Sequence, residues 1–184
     1  MGQYIYLIVG ESGSGKSWIV DRLIASGMTA IQSYTTRSPR YPGETGHIFV
    51  DKMPEDMANF VAYTHFDGND YWATTQQVEE NDLYVVDPAG VAYFLRHYTG
   101  TKEPVVFYIE TTEKTRRKRM KRRGDKRKDI RRRIRHDRIM FGDPVYDCLT
   151  YIIPNDDGLG VFKITDTIRQ LEAKDGEEPV ENPV

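Results

Sequence analysis

Gly10, Gly15, Lys16 and Ser17 stand in the order Gly-x-x-x-x-Gly-Lys-Ser, and the chemistry of that spacing is phosphate binding. The glycines let the backbone curl so that successive N–H groups, those of Ser12, Gly13 and Ser14 among them, converge on anionic oxygens, and a helix starting at Lys16 adds positive potential. Lys16 reaches the outer phosphates as a point charge, and Ser17 offers a hydroxyl to Mg2+. The apolar run over residues 4–9 and the helical spacing of Trp18, Ile19, Val20, Leu23 and Ile24 predict strand, loop and helix around the motif. That context separates a phosphate loop from a Gly/Ser-rich turn. Such a loop serves motors, GTPases and kinases alike, so a second site has to define the reaction.

Two further groups of side chains suit phosphate chemistry. Arg37 and Arg40 lie three residues apart on a Pro- and Gly-rich loop over residues 37–46, where guanidiniums can fork onto a phosphate. Sixteen of the 26 Lys and Arg residues fall between Lys114 and Arg138, opposed by Asp125, Asp129 and Asp137 alone, so this segment carries +13 and the rest of the chain −15. Arg119 and Arg123 are four apart and share a helical face. Phosphoryl transfer spreads negative charge over the transferring group and demands positioned cations more than covalent chemistry. For most of the sixteen, a solvated charged face is the plainer reading.

The elements that must position these groups follow from periodicity. A second strand is expected over 29–33, short strands over 48–50 and 60–66 around a small helix at 54–59, and a helix over 75–80. Apolar runs without alternation at 83–86 and 105–109 predict parallel strands buried on both faces, with a helix over 88–96 between them. Thr112 is a candidate N-cap for a helix to Arg123, Gly124 breaks it, and 128–141 continues as a second helix. A last strand over 151–153 and a helix containing 166–171 complete the pattern.

The segment Ser33-x-x-Thr36-Arg37-x-Pro39-Arg40, followed by Gly43-Glu44, resembles the guanylate kinase family. Gly68-Asn69-Asp70-Tyr71, Asp87-x-x-Gly90, Arg119-x-x-x-Arg123-Gly124, Arg133 and Asn155-Asp156-Asp157 carry the resemblance through nearly the whole chain. It implies an α/β, three-layer P-loop kinase fold with a parallel central sheet, a small inserted acceptor-binding subdomain and a helical lid. It also implies direct transfer from ATP, with Mg2+, to a nucleoside monophosphate, GMP or dGMP. On that basis Ser33 and Asp87 contact the acceptor's base, while Arg37, Arg40, His47 and Tyr71 hold its phosphate. Asn155 and Asp156 lie near the adenine, and Lys16, Arg37, Arg119, Arg123 and Arg133 stabilise the transferring group. Asp87 as a helix cap and Asn155-Asp156-Asp157 as a loop remain open beside those roles. The expected division is a single domain, 1–173, with core 1–34, 82–112 and 142–173, insertion 35–81 and basic lid 113–141, followed by an acidic disordered tail, 174–184.

The pattern departs from the family at the base. His47 stands where the family has a Tyr, Ala62 where it has a guanine-reading Glu, Ala73 where it has a Ser, and Val85 where it has the first Asp of an Asp-x-Asp pair. Thr74, Tyr63, His65 and Asp70 are the residues left to read a base differently. The alternatives are a kinase of this fold for another deoxynucleoside monophosphate or a ribose phosphate, and a binding module without catalysis, against which Lys16 and Ser17 argue.

Composition narrows the setting. One globular unit accounts for 184 residues at 39% hydrophobic and 29% charged. No apolar run approaches bilayer length, no secretory leader is legible, and Tyr6 stands where a myristoylation signal wants Ser or Thr. A single cysteine, Cys148, rules out an internal disulfide and suits a reducing, cytoplasmic setting. The basic segment is poor in the aromatics that single-stranded nucleic acid would stack on. ATP and a nucleoside monophosphate are the expected partners, with self-association into a homodimer left open.

Overall fold

The computed structural model describes residues 2–39, 41–142 and 149–175, so Arg40, Cys148 and residues 176–184 lie outside the described residues. Four strands, β1 (Tyr4–Val9), β6 (Leu83–Val85), β7 (Glu103–Glu110) and β8 (Leu149–Pro154), form a parallel sheet in the order β6-β1-β7-β8. Every residue of β1 is buried, as a strand covered on both faces requires. Its alternate side chains enter different layers. Tyr4, Tyr6 and Ile8 pack with Ile19, Val20 and Leu23 of α1 (Lys16–Ala25) and Val161, Ile164, Ile168 and Leu171 of α6 (Gly160–Asp175). Ile5, Leu7 and Val9 pack with Val78 of α2 (Thr75–Glu80) and Val91 and Phe94 of α3 (Pro88–His97). Helices thus cover both faces of the sheet, the three-layer α/β arrangement expected.

The second sheet has the order β3-β2-β5-β4, built from β2 (Ser33–Thr35), β3 (His47–Phe49), β4 (Phe60–Phe66) and β5 (Asn69–Thr74). β2 and β3 are parallel and the other pairs antiparallel. Asp67 and Gly68, both at positive φ (51° and 75°), close the β4–β5 hairpin, a two-residue turn that Asp-Gly adopts readily. Tyr34, Trp72 and Phe60 stack along one face with centroid separations of 5.5 and 5.4 Å.

Several elements differ from expectation. Of the strand expected over 29–33, only a bridge between Ala30 and Leu83 joins the parallel sheet, and β2 begins at Ser33 in the second sheet. Residues 54–59 are irregular, with bends and turns rather than a helix, since so short a segment with few apolar side chains to bury cannot offset the cost of starting a helix. β5 was not expected at all. The last helix contains 166–171 as expected, but α6 ends at Asp175, two residues into the segment read as tail.

The basic segment folds as a hairpin of α4 (Glu113–Arg122) and α5 (Arg127–Met140), joined through Gly124 at φ 94°. Met120, Ile130 and Ile134 form its own small core. Thr112 caps α4 by accepting from the Thr115 N–H at 3.4 Å. Among the described residues no helix is long and apolar enough to cross a membrane.

Candidate active site

β1 and β6 are neighbours and end together: Ile8 pairs with Val85, and the Val86 N–H donates to the Ile8 carbonyl at 3.2 Å. The loop after β1 and Asp87 after β6 therefore emerge side by side at the carboxyl edge, where open parallel sheets bind ligands.

The loop over residues 10–15 leads into α1 without a capping side chain, and no acidic residue lies in the first turn. Contrary to expectation, two of the loop N–H groups are already engaged, Ser12 with Asp137 at 2.9 Å and Ser14 with the Glu11 carbonyl at 3.1 Å, and it is the uncapped positive end of α1 that is left for an anion. Gly13 (φ 80°) and Gly15 (φ 105°) cannot be replaced cheaply: a Cβ would meet the Arg116 carbonyl at 2.9 Å and Asn155 Nδ2 at 2.7 Å. The buried Ser14 carbonyl accepts from Thr111 Oγ1 (3.2 Å), Arg119 Nη1 (2.7 Å) and Asn155 Nδ2 (2.8 Å). Lys16 Nζ donates to the carbonyls of Gly10 and, at 3.1 Å, Glu11. Burial pushes its pKa down to about 8, with Asp137 and Glu11 opposing and Arg116 and Arg123 assisting. Ser17 is exposed in the first turn of α1. A lone hydroxyl beside a phosphate cradle fits Mg2+, which keeps most of its coordination for water and phosphate oxygens.

The hairpin is joined to the loop by side chains that the sequence reading did not select. Arg116 pairs with Glu11 at 2.7 Å and with Asp137 at 2.9 Å. Asp137 also accepts from the Ser12 N–H (2.9 Å) and hydroxyl (3.0 Å). Arg116 and Asp137 are only 3% and 4% exposed. Their signal was faint: Asp137 continues the apolar stripe Ile130-Ile134 at helical spacing, a carboxylate on the buried face of a basic helix. Of the lid arginines selected, Arg119 also donates to the Asn155 carbonyl at 2.5 Å. Arg123 pairs with Asp125 at 2.6 Å, which raises the pKa of Arg123 and lowers that of Asp125. Arg133 is half-buried and acts on Asp125 through its charge.

Asn155 is buried with both amide atoms engaged, donating to Ser14 and accepting from the Gly160 N–H at 3.0 Å. Asp156 accepts from the N–H and hydroxyl of Thr112 (3.2 and 2.8 Å). Bonds from Thr115 and then Thr112 depress its pKa. Both side chains tie the end of β8 to the loop and to α4.

One face of the second sheet gathers most of the residues selected for the acceptor. Ser33 pairs with His47 in register and Thr35 with Tyr71, and Ser33 Oγ lies 3.0 Å from His47 Nδ1. The His47 ring meets Tyr71 edge-on at 5.7 Å. Arg37 lies over Phe49 and is held bidentately by Glu44 at 2.9 and 3.1 Å. That pairing, helped by the Tyr71 hydroxyl, raises its pKa. Its Nε is buried without a partner among the described residues. Asp87 is the N-cap of α3, accepting from the Gly90 N–H at 2.7 Å, and it also accepts from Thr64 Oγ1 at 3.2 Å. Both bonds fall on Oδ1. Ala62 and Ala73 face one another across β4 and β5 and are 1% and 0% exposed, inside the apolar cluster with Val61, Val78 and Val91.

A phosphate loop, an opposed sheet with guanidinium and phenol groups, and a basic helical hairpin over the loop define a three-layer α/β fold of the P-loop kinase class. Comparison with known proteins makes this more particular. No family model matches the chain. A guanylate kinase of Cupriavidus metallidurans is 30% identical over 136 residues, covering 65% of this chain and 61% of that protein, so the chain spans about three fifths of the relative's length. The crystal structure of a guanylate kinase from Anaplasma phagocytophilum superposes with a TM-score of 0.58 at 18% identity, over 94% of this chain and 88% of that one. A structure of an uncharacterized protein from Eubacterium ventriosum, at TM-score 0.47, 16% identity and 94% and 99% coverage, is too loose a match to argue from. The likeness to guanylate kinases read from the motifs is thus shown in sequence and in fold.

Proposed function

We propose that the protein transfers the terminal phosphoryl group of ATP to a nucleoside monophosphate, GMP or dGMP, in direct in-line displacement. The observation that carries this reading is the side-by-side emergence of the uncapped phosphate loop and Asp87, with Asp87 bonded to Thr64 on the acceptor-facing sheet. Lys16 and the loop N–H groups bind the donor phosphates. Mg2+, held by Ser17, would add charge neutralisation between those phosphates. Arg37, through Nε, together with Tyr71, His47 and Arg40, orients the acceptor phosphate. Ser33 and Asp87, whose Oδ2 is left open by the two bonds on Oδ1, face its base. Arg119, Arg123 and Arg133 supply charge from the hairpin, and Asn155 and Asp156 shape the donor side. No protein nucleophile is needed. In the same reading the acceptor-binding insertion takes in β2 from Ser33, two residues before the 35–81 expected, and 113–141 is the lid.

The buried Ala62–Ala73 pair favours a second reading, a kinase of the same chemistry for another base. No carboxylate on that strand is available to guanine, and one charged hydrogen bond is commonly worth about 1.5–3 kcal/mol. The test is ADP release from Mg-ATP across GMP, dGMP, AMP, dAMP, CMP, dCMP, UMP and dTMP, with Lys16→Ala as background. Turnover of GMP or dGMP is expected. Turnover of another monophosphate alone selects the second reading, and silence across the panel overturns both.

A further inference from the structure

We infer that Asp137 is a positioning residue for the phosphate loop: with buried Arg116 and half-buried Glu11 it forms a three-charge latch that holds the loop in its phosphate-binding shape. The inference rests on the reading of that loop as the ATP site. Four separate contacts converge on two adjacent loop residues. The Asp137 carboxylate accepts both from the Ser12 N–H and from its hydroxyl, while Arg116 pairs with Glu11 and reaches the Ser12 carbonyl at 3.5 Å.

Glu11 and Ser12 are the first two variable positions of the loop, and nothing in phosphate chemistry requires a Glu there. The partners come from two helices far along the chain, one on α4 and one on α5. Buried charge survives only when paired and hydrogen-bonded, so each member holds the others in one geometry. The Gly13 backbone packs against α4 closely enough that a Cβ would strike the Arg116 carbonyl. The latch therefore fixes the distance between α4 and the loop. If α4 and α5 swung away as a unit, they would leave Glu11 and the Ser12 N–H unpaired and loosen the turn that presents the loop N–H groups.

The test is Asp137→Asn in the full chain, with KM for Mg-ATP and KM for the acceptor measured together. KM for ATP should rise about tenfold with acceptor KM unchanged. An unchanged ATP KM, or equal weakening of both substrates, overturns the proposal. Ser12→Ala leaves all three charges intact, so it serves if Asp137→Asn does not fold; it should weaken ATP alone, by a smaller factor, and no effect on ATP overturns the proposal. If no acceptor is turned over, the kinase reading fails separately. Calorimetric binding of Mg-ATP to the same variants then decides the latch, the same tenfold loss supporting it and equal affinities overturning it.

Discussion

Burial takes water away from the Lys16 amine and holds its pKa down to about 8, well below the ordinary lysine value of 10.5. A lysine so placed is charged at neutral pH and loses its charge as pH rises through 8, whereas an ordinary lysine keeps it beyond 10. Because kcat/KM reports the free enzyme, kcat/KM for ATP should fall above about pH 8. The corresponding limb of kcat should lie higher, since the phosphates of bound ATP favour the ammonium. Parallel rate measurements from pH 6 to 10 check this, and coincident limbs would mean that Lys16 does not meet the donor phosphates. Arg37 has the opposite history. Glu44 and the Ser38 carbonyl engage the ends of its fork, and Nε is a buried donor without a partner among the described residues, so in the proposed reaction the acceptor phosphate approaches from that side.

At the scale of elements, the proposed function makes β4 and β5 the strands that an acceptor's base would meet. The family resemblance gives Glu at the position of Ala62, yet here that position faces Ala73 in a closed apolar cluster. Ala62→Glu should therefore cost stability on the order of 3 kcal/mol without improving the use of GMP. Denaturant midpoints and GMP KM measured on the variant check both halves, and a stable variant with lower KM for GMP would show that the base reaches this part of the strand.

The same pair of strands shows what the sequence could and could not disclose. β4 was legible as a short run of mostly apolar and β-branched residues over 60–66. β5 was not, because Asn69-Asp70-Tyr71-Trp72 mixes polar and aromatic residues, and its strand character comes from pairing with β2 and β4. The Asp-Gly turn was a signal that could have found it. The phosphate loop, the buried strands β1, β6 and β7, and the caps Asp87 and Thr112 follow from local chemistry, which is why they were readable. Arg116 and Asp137 were not, since sixteen cations in one run look alike until folding shows which of them lies against a carboxylate.

For the molecule as a whole, the charge asymmetry becomes a field. Residues 114–138 carry +13 on a body of −15, and the hairpin is fixed to the phosphate loop by Arg116, Arg119 and Asp137. Some of its cations are neutralised close at hand, Arg117 and Arg138 by Glu113 at 2.7 and 2.9 Å and Arg123 by Asp125. Others on the exposed face, Arg131 and Arg135 among them, stand in solvent. Such exposed charges add little to stability, but together they set up a potential above the loop that draws a polyanion toward it. Salt screens that potential over about 10 Å at 0.1 M and about 3 Å at 1 M, while the buried contacts of Lys16 and Arg116 are screened much less. Raising the salt concentration from roughly 0.05 to 0.5 M should therefore lower kcat/KM for ATP several-fold and leave kcat nearly unchanged. A fall in kcat of the same size would mean that the exposed cations act on the transferring group itself, and a flat response would reduce them to a solvated face.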